Sequence, residues 1–159
     1  MKSILIIGTK DGGKSTTITE ICKRLKPSEV YKLDTSEKKL VKANVTNIFN
    51  NTFIIKVNGK YILVVAGAPT EQNIMLKILI QITIELNIKI SFLIVAKRTS
   101  ERKKGFNTNE DIDVFTTLIH TERLDRISLK DQNDLTSFKQ NKDWIDRINK
   151  LEKLVIENI

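Results

Sequence analysis

The stretch that most narrows what this chain can fold into is GTKDGGKSTT, Gly8 to Thr17, which follows directly on the apolar run ILII. A short aliphatic and β-branched run that ends on glycine has the pattern of a strand buried in a parallel sheet. Beyond the loop, Ile18, Ile21, Cys22 and Leu25 recur at helical spacing and Pro27 follows closely, so a helix starts where the glycines stop. Glycines in such a loop let the backbone turn its N–H groups inward at a helix N-terminus. The result is a concave site for an anion.

Strand and helix signals alternate along the rest of the chain. EVYKLD reads as a second short strand closing on Asp34, and TSEKKLVKAN as a polar connection. NTFIIKVNGKYILVVAGAP holds two β-rich runs joined at Asn58-Gly59, the dipeptide that favours a type I′ hairpin. Pro69 and Thr70 open a predicted long helix to about Leu86. Thr70 is its expected N-cap, and Glu71 lies in the first turn, where the helix dipole favours an acid. Apolar residues surround that helix on nearly every side, so it should pack between the sheet and its neighbours. KISFLIVAK is the next buried strand, and RTSERKKGFNTNED reads as a mobile loop. The stretch from IDVFTTLIH to RISL fits strand and helix alike. From Asn141 on, Trp144, Ile148, Leu151 and Val155 define an amphipathic C-terminal helix that docks on the sheet. The alternation gives an α/β fold.

At 159 residues the chain has the length of a single domain with a real core, spanning 1–159. Hydrophobic content of 40% with 29% charged residues is ordinary for a folded protein and disfavours disorder. The net charge of +8 suits a polyanionic partner, namely a nucleotide, a nucleic acid or an acidic protein surface, and equally a solvated lysine-rich surface. A single cysteine excludes an internal disulfide framework and a Cys-based zinc site, which points to a reducing compartment. Cys22 falls on the apolar helix face and reads as core. The N-terminal apolar run is too short for a signal peptide. The longest apolar-rich region is interrupted by Lys77, Gln81, Glu85, Asn87 and Lys89, which no bilayer-spanning segment carries so evenly. A cytoplasmic protein with no membrane contact is expected; oligomeric state is not indicated. His120 is the sole histidine and has no triad or metal partner in the sequence.

Gly8, Gly13, Lys14 and Ser15 satisfy the pattern GxxxxGK[ST] in full. In that pattern the lysine reaches the β and γ phosphates and the hydroxyl ligates Mg²⁺. Through GTKDGGKS and the strand and helix that flank it, the chain resembles the P-loop NTPases, closely over residues 1–25 and elsewhere as architecture. The resemblance implies a three-layer fold: a mostly parallel sheet with one antiparallel hairpin strand and helices on both faces. It implies ATP or GTP with Mg²⁺ at the C-terminal edge of that sheet. By position, Gly8, Thr9, Lys10, Asp11, Gly12 and Gly13 would form the loop around the phosphates. Lys14 would be the phosphate-coordinating lysine, Ser15 the metal ligand and Thr16 a contact to the α phosphate.

The hairpin after the first helix is similar to that of the Ras-like GTPases, where an antiparallel pair precedes the second switch. Those proteins carry a DxxG pattern at the strand end matching ILVVAGAPTE; Gly67 is present, but Val64 and Ala66 cannot serve as the metal-side aspartate. Their NKxD segment is absent, and AKRTS at Ala96 to Ser100 lacks its carboxylate. A substitute acid could be Asp34 or Glu71. Asp34 resembles in position an acid of ParA-like ATPases that assists the metal or the attacking water, its alternative being a turn or capping residue. The lysine which that group carries early in the loop is Thr9 here, with Lys10 one place along. For Glu71 the alternative is dipole stabilisation of its helix. Arg98 follows a buried strand on the edge that carries the loop, where a guanidinium can neutralise charge on a transferred phosphoryl group or remain a solvated loop cation. Lys97, Arg98, Arg102, Lys103 and Lys104, with Glu101 among them, form the densest basic patch. Residues 97–104 could close over phosphates or contact a nucleic acid or acidic protein. The expected function is Mg-dependent triphosphate binding with slow hydrolysis, as a switch or accessory protein. A small-molecule or nucleotide kinase and a non-hydrolysing nucleotide-binding module are the rival readings.

Overall fold

The computed structural model describes residues 1–9, 12–124 and 142–159. The expectations for Lys10, Asp11, Asn141 and the RISL segment lie outside the described residues. In chain order the elements are β1 (Lys2–Gly8), α1 (Lys14–Leu25), β2 (Glu29–Asp34), β3 (Lys39–Lys42), a 3-10 turn (Val45–Asn47), β4 (Thr52–Val57) and β5 (Lys60–Val65). They continue with α2 (Pro69–Gln72), α3 (Leu76–Glu85), β6 (Ile90–Arg98), α4 (Thr108–Phe115), β7 (Thr117–Arg123) and the C-terminal α5 (Lys142–Asn158).

The strands form one seven-stranded sheet in the order β3-β2-β4-β5-β6-β1-β7. β5, β6, β1 and β7 run parallel, whereas β4–β5, β2–β4 and β2–β3 are antiparallel. Half of the pairings are therefore antiparallel, and the mostly parallel sheet with one antiparallel hairpin strand does not form. What tips the balance is KLVK, expected as connection: it pairs with β2 as an edge strand, Leu33 opposite Leu40. Its lysines are exposed, and charged side chains on an outer strand discourage further pairing. Such a strand needs no apolar alternation, so none is visible.

Burial explains the order of the layers. Along β1, Ile4 and Ile6 face Ile18, Ile21, Cys22 and Leu25 of α1 and Trp144, Ile148, Leu151 and Val155 of α5. Leu5 and Ile7 face the opposite side, against Leu76, Leu79 and Ile80 of α3 and Ile112 of α4. Helices thus cover both faces of an α/β sheet, and each fully buried aliphatic side chain contributes about 1.5–3 kcal/mol. Cys22 is fully buried, and desolvation pushes its thiol up to about 12, which makes it packing rather than a nucleophile. Among the described residues no helix is long and apolar enough to cross a membrane.

The predicted helix from Pro69 to Leu86 is broken. Its N-cap is Ala68 rather than Thr70, with Pro69 at the first helical position. After Gln72 the backbone passes through Asn73 in the left-handed region at φ 57°, and α3 starts anew at Leu76. Asparagine tolerates that conformation better than most residues, and the apolar periodicity runs on across the break. The ambiguous stretch resolves into α4 followed by β7. Of the segment RTSERKKGFNTNED only Thr99 to Asn107 is loop: Arg98 still belongs to β6, and the Asn107 side chain accepts from the Glu110 N–H at 3.1 Å and caps α4.

Candidate functional site

Parallel pairing places Gly8, at the end of β1, opposite Arg98, at the end of β6. The Thr99 N–H donates to the Gly8 carbonyl at 3.2 Å, tying the two strand ends together. From Gly8 the chain turns back on itself, with the Gly12 N–H on the Thr9 carbonyl at 3.0 Å. Gly13 then enters α1 at φ 90°, a left-handed backbone that a side chain rarely adopts. Lys14 and Ser15 are buried, and Thr16 is half-buried in the same turn of the helix. Lys14 lies back across the loop: its Nζ donates to the Thr9 carbonyl at 2.8 Å and the Gly8 carbonyl at 3.2 Å.

The Ser15 hydroxyl meets two residues that carry no sequence motif. Its Oγ is 2.8 Å from both the Asn50 Oδ1 and the Ala66 carbonyl, to one of which it donates, and it accepts from the Asn50 N–H at 3.2 Å. Asn50 sits before β4 in the left-handed region at φ 51°. Gly67 is needed beside it: a Cβ there would stand 2.3 Å from the Asn50 carbonyl oxygen. The Ala66 N–H donates to the Asn51 carbonyl at 2.9 Å. Gln72 then locks the start of α2 down, donating to the Gly67 carbonyl at 2.5 Å while its Oε1 accepts from Thr52 Oγ1 at 3.0 Å. The segments 50–52 and 66–72 thereby form one platform beside the loop.

That platform carries Glu71. Its Oε1 lies 3.4 Å from Lys14 Nζ and 3.7 Å from Arg98 Nε, so one carboxylate bridges the loop lysine and the arginine. Beside the pair opens a cavity of about 420 Å³ lined by Thr9, Thr70, Arg98, Thr99, Arg102 and Lys103 among others. The Thr70 hydroxyl oxygen is buried on this side with no hydrogen-bond partner among the described residues.

The other expected residues are placed differently. Asp34 ends β2 at the same edge of the sheet, with β4 and β5 between β2 and β6. Its Oδ1 accepts from the Ser36 and Glu37 N–H groups at 3.0 and 2.9 Å, a turn role, and no described contact joins it to Lys14 or Ser15. Lys97 is buried in β6 and drops out of the basic patch. Glu101 is spent on the N-terminus of α4, accepting from the Thr108 N–H at 2.8 Å and the Thr108 hydroxyl at 2.5 Å. Lys103 bonds the Asn73 side chain and lies 5.4 Å from the Phe106 ring centroid. Among the described residues no group of three or more His, Cys, Asp or Glu is placed to hold a metal ion. His120 is half-buried on β7, its Nε2 2.7 Å from Glu122.

Of the two candidate acids the structure brings Glu71 and not Asp34 to the loop, and sequence reasoning missed Asn50 altogether; Asn50 meets Ser15 across 35 positions, which no local pattern reveals. Comparison with protein-family models, with curated proteins and with solved structures found no match to this chain.

Proposed function

We propose that this chain binds a nucleoside triphosphate, ATP or GTP, with Mg²⁺ and hydrolyses it slowly, as a switch-like or accessory protein. The observation that carries the reading is the complete GxxxxGKS string on a loop between a buried parallel strand and α1, with Lys14 lying across it. A glycine-bearing loop at a helix N-terminus and a buried ammonium suit a polyphosphate. The oxygens around Ser15 are hard donors that fit a small divalent cation: the hydroxyl itself, Asn50 Oδ1 and the Ala66 carbonyl. They are all neutral, so the phosphates would supply the anionic ligands. When bound, Mg²⁺ would neutralise charge on the β and γ phosphates. Slow turnover fits the same set, because among the described residues no carboxylate adjoins Ser15 to fix the ion or orient an attacking water.

Transfer of the terminal phosphoryl group to a small acceptor is the second reading, favoured by the cavity beside Arg98. Calorimetric titration with Mg-ATP and Mg-GTP tests the first claim. Lys14→Ala should weaken whichever binds by roughly tenfold to hundredfold, the worth of one or two charge-assisted hydrogen bonds. Unchanged affinity in that variant would overturn the assignment. Label on the γ phosphate distinguishes the chemistry: hydrolysis releases it to water, and a kinase passes it to an acceptor.

A further inference from the structure

We propose that Lys14 and Arg98 form the terminal-phosphate subsite of this chain, and that Glu71 is an internal anion occupying that subsite until a triphosphate displaces it. The inference rests on the reading of the loop as a triphosphate site, and it adds a device that makes the site sense the last phosphate.

The geometry points this way in three respects. A single carboxylate oxygen, Glu71 Oε1, stands between the two cations at 3.4 and 3.7 Å. Both distances exceed those of a charge-assisted hydrogen bond, so the carboxylate is held by charge and not by directed bonds. A terminal phosphate carries more charge and three acceptor oxygens, and it would outcompete a carboxylate between the same cations. Second, Glu71 can leave: its side chain is 28% exposed, and α2 is only four residues long. Third, the surroundings already provide for another ligand. The Thr70 hydroxyl, one residue away, is buried without a partner, and buried polar atoms in that condition are uncommon enough to need a reason. Thr70 and Arg98 also line the cavity of about 420 Å³, which adds open volume on the Arg98 side of the pair.

The two anions cannot share the subsite, because like charges in direct contact repel and compete for the same two cations. A triphosphate therefore has to expel Glu71 from both cations, whereas a diphosphate, which meets Lys14 through its β phosphate and ends short of Arg98, leaves Glu71 its contact with Arg98. Glu71 lowers the affinity for triphosphate more than that for diphosphate.

The sign of one substitution tests this. Glu71→Gln keeps the shape and removes the charge. In titrations with a non-hydrolysable Mg-triphosphate and the corresponding Mg-diphosphate, it should tighten triphosphate binding about threefold to tenfold. Diphosphate affinity should stay within about twofold. Glu85→Gln, which removes an equal charge from the Lys38 ion pair on α3, should change neither, and Arg98→Gln should erase most of the triphosphate preference. Weaker triphosphate binding in Glu71→Gln would make Glu71 a ligand-side acid and overturn the proposal, as would an equal gain for both nucleotides. If the wild-type chain binds neither nucleotide, the triphosphate reading falls and this inference with it. Binding by the wild type with an indifferent Glu71→Gln defeats the inference alone.

Discussion

Two glutamates in this molecule each draw several cations around one carboxylate, and the difference between them separates structure from readiness to bind. Glu122, on β7, has His120 Nε2 at 2.7 Å, Lys150 Nζ at 2.8 Å and Arg147 Nε at 3.3 Å. Its side chain is 11% exposed. Burial pushes its carboxyl up, but hydrogen bonds from Lys150 and His120, and their charges, more than offset this and hold it below the ordinary glutamate range. Those bonds clamp α5, which bears Arg147 and Lys150, to an outer strand of the sheet. Glu71 holds its two cations at 3.4 and 3.7 Å from the surface of a four-residue helix. Short, directed bonds in a dry setting fix a fold; long ones at a wet edge can be exchanged for a ligand.

The platform under Glu71 should nevertheless be stiff, and that claim offers the sharpest way to break the comparison. Gly67→Ala would drive a Cβ to within 2.3 Å of the Asn50 carbonyl, and backbone on both sides leaves no flexible side chain to yield. A loss of about 3 kcal/mol in urea-induced unfolding is expected. A loss below about 1 kcal/mol would mean that the platform is as loose as the carboxylate it carries.

Removing the other glutamate should cost nearly as much. Glu122→Ala takes away the acceptor shared by Lys150, Arg147 and His120, of which Lys150 is half exposed and able to re-solvate. About 2 kcal/mol is expected at neutral pH, less than for a fully buried pair. The pH dependence has a definite sign. Because the folded-state pKa is lowered, the stabilisation is complete above the unfolded glutamate's pKa and is lost as pH falls through the folded one. The stability gap between wild type and Glu122→Ala should therefore shrink on acidification from neutrality to about pH 3. A gap that is constant over that range would show that Glu122 acts through packing alone.

How much of this could be read from the sequence follows the range of each interaction. The β1–loop–α1 unit was legible because its glycines, its lysine and its apolar residues are near neighbours in the chain. The C-terminal helix was legible for the same reason: Trp144, Ile148, Leu151 and Val155 keep one period and bury one face. β3 was hidden because a lysine-bearing edge strand has no buried face to advertise. The break at Asn73 was hidden because Leu76, Leu79 and Ile80 go on supplying apolar side chains after it. Asp34 attracted attention as an acid at a strand end, yet the two N–H groups of its own turn satisfy it. Asn50 and Glu71 reach the site only through the packing of β4, β5 and α2, and a neutral asparagine before a strand has no signature of its own.

Asn50 offers a smaller test on the same edge. Asn50→Ala loses the bond to Ser15 Oγ and places alanine at φ 51°, a conformation that costs a residue with a Cβ about 1 kcal/mol. Roughly 1–2 kcal/mol in thermal or urea unfolding is expected from the two effects together. No measurable change would show that Ser15 finds an equal partner in the Ala66 carbonyl alone.

The smallest effect is the most informative about the comparison itself. Glu71→Gln should alter stability by no more than about 0.5 kcal/mol, because the carboxylate is partly solvated and Lys14 keeps its two carbonyl acceptors. Stability and nucleotide affinity would then move independently at Glu71, whereas at Glu122 only stability should move. A large loss on Glu71→Gln would place it in the same class as Glu122, as a clamp holding the loop to the platform. In that event ligand entry would require the platform to come apart. If the loss is small and triphosphate binding tightens, the two glutamates differ in kind: one closes the fold, and the other keeps a cationic subsite filled until a stronger anion arrives.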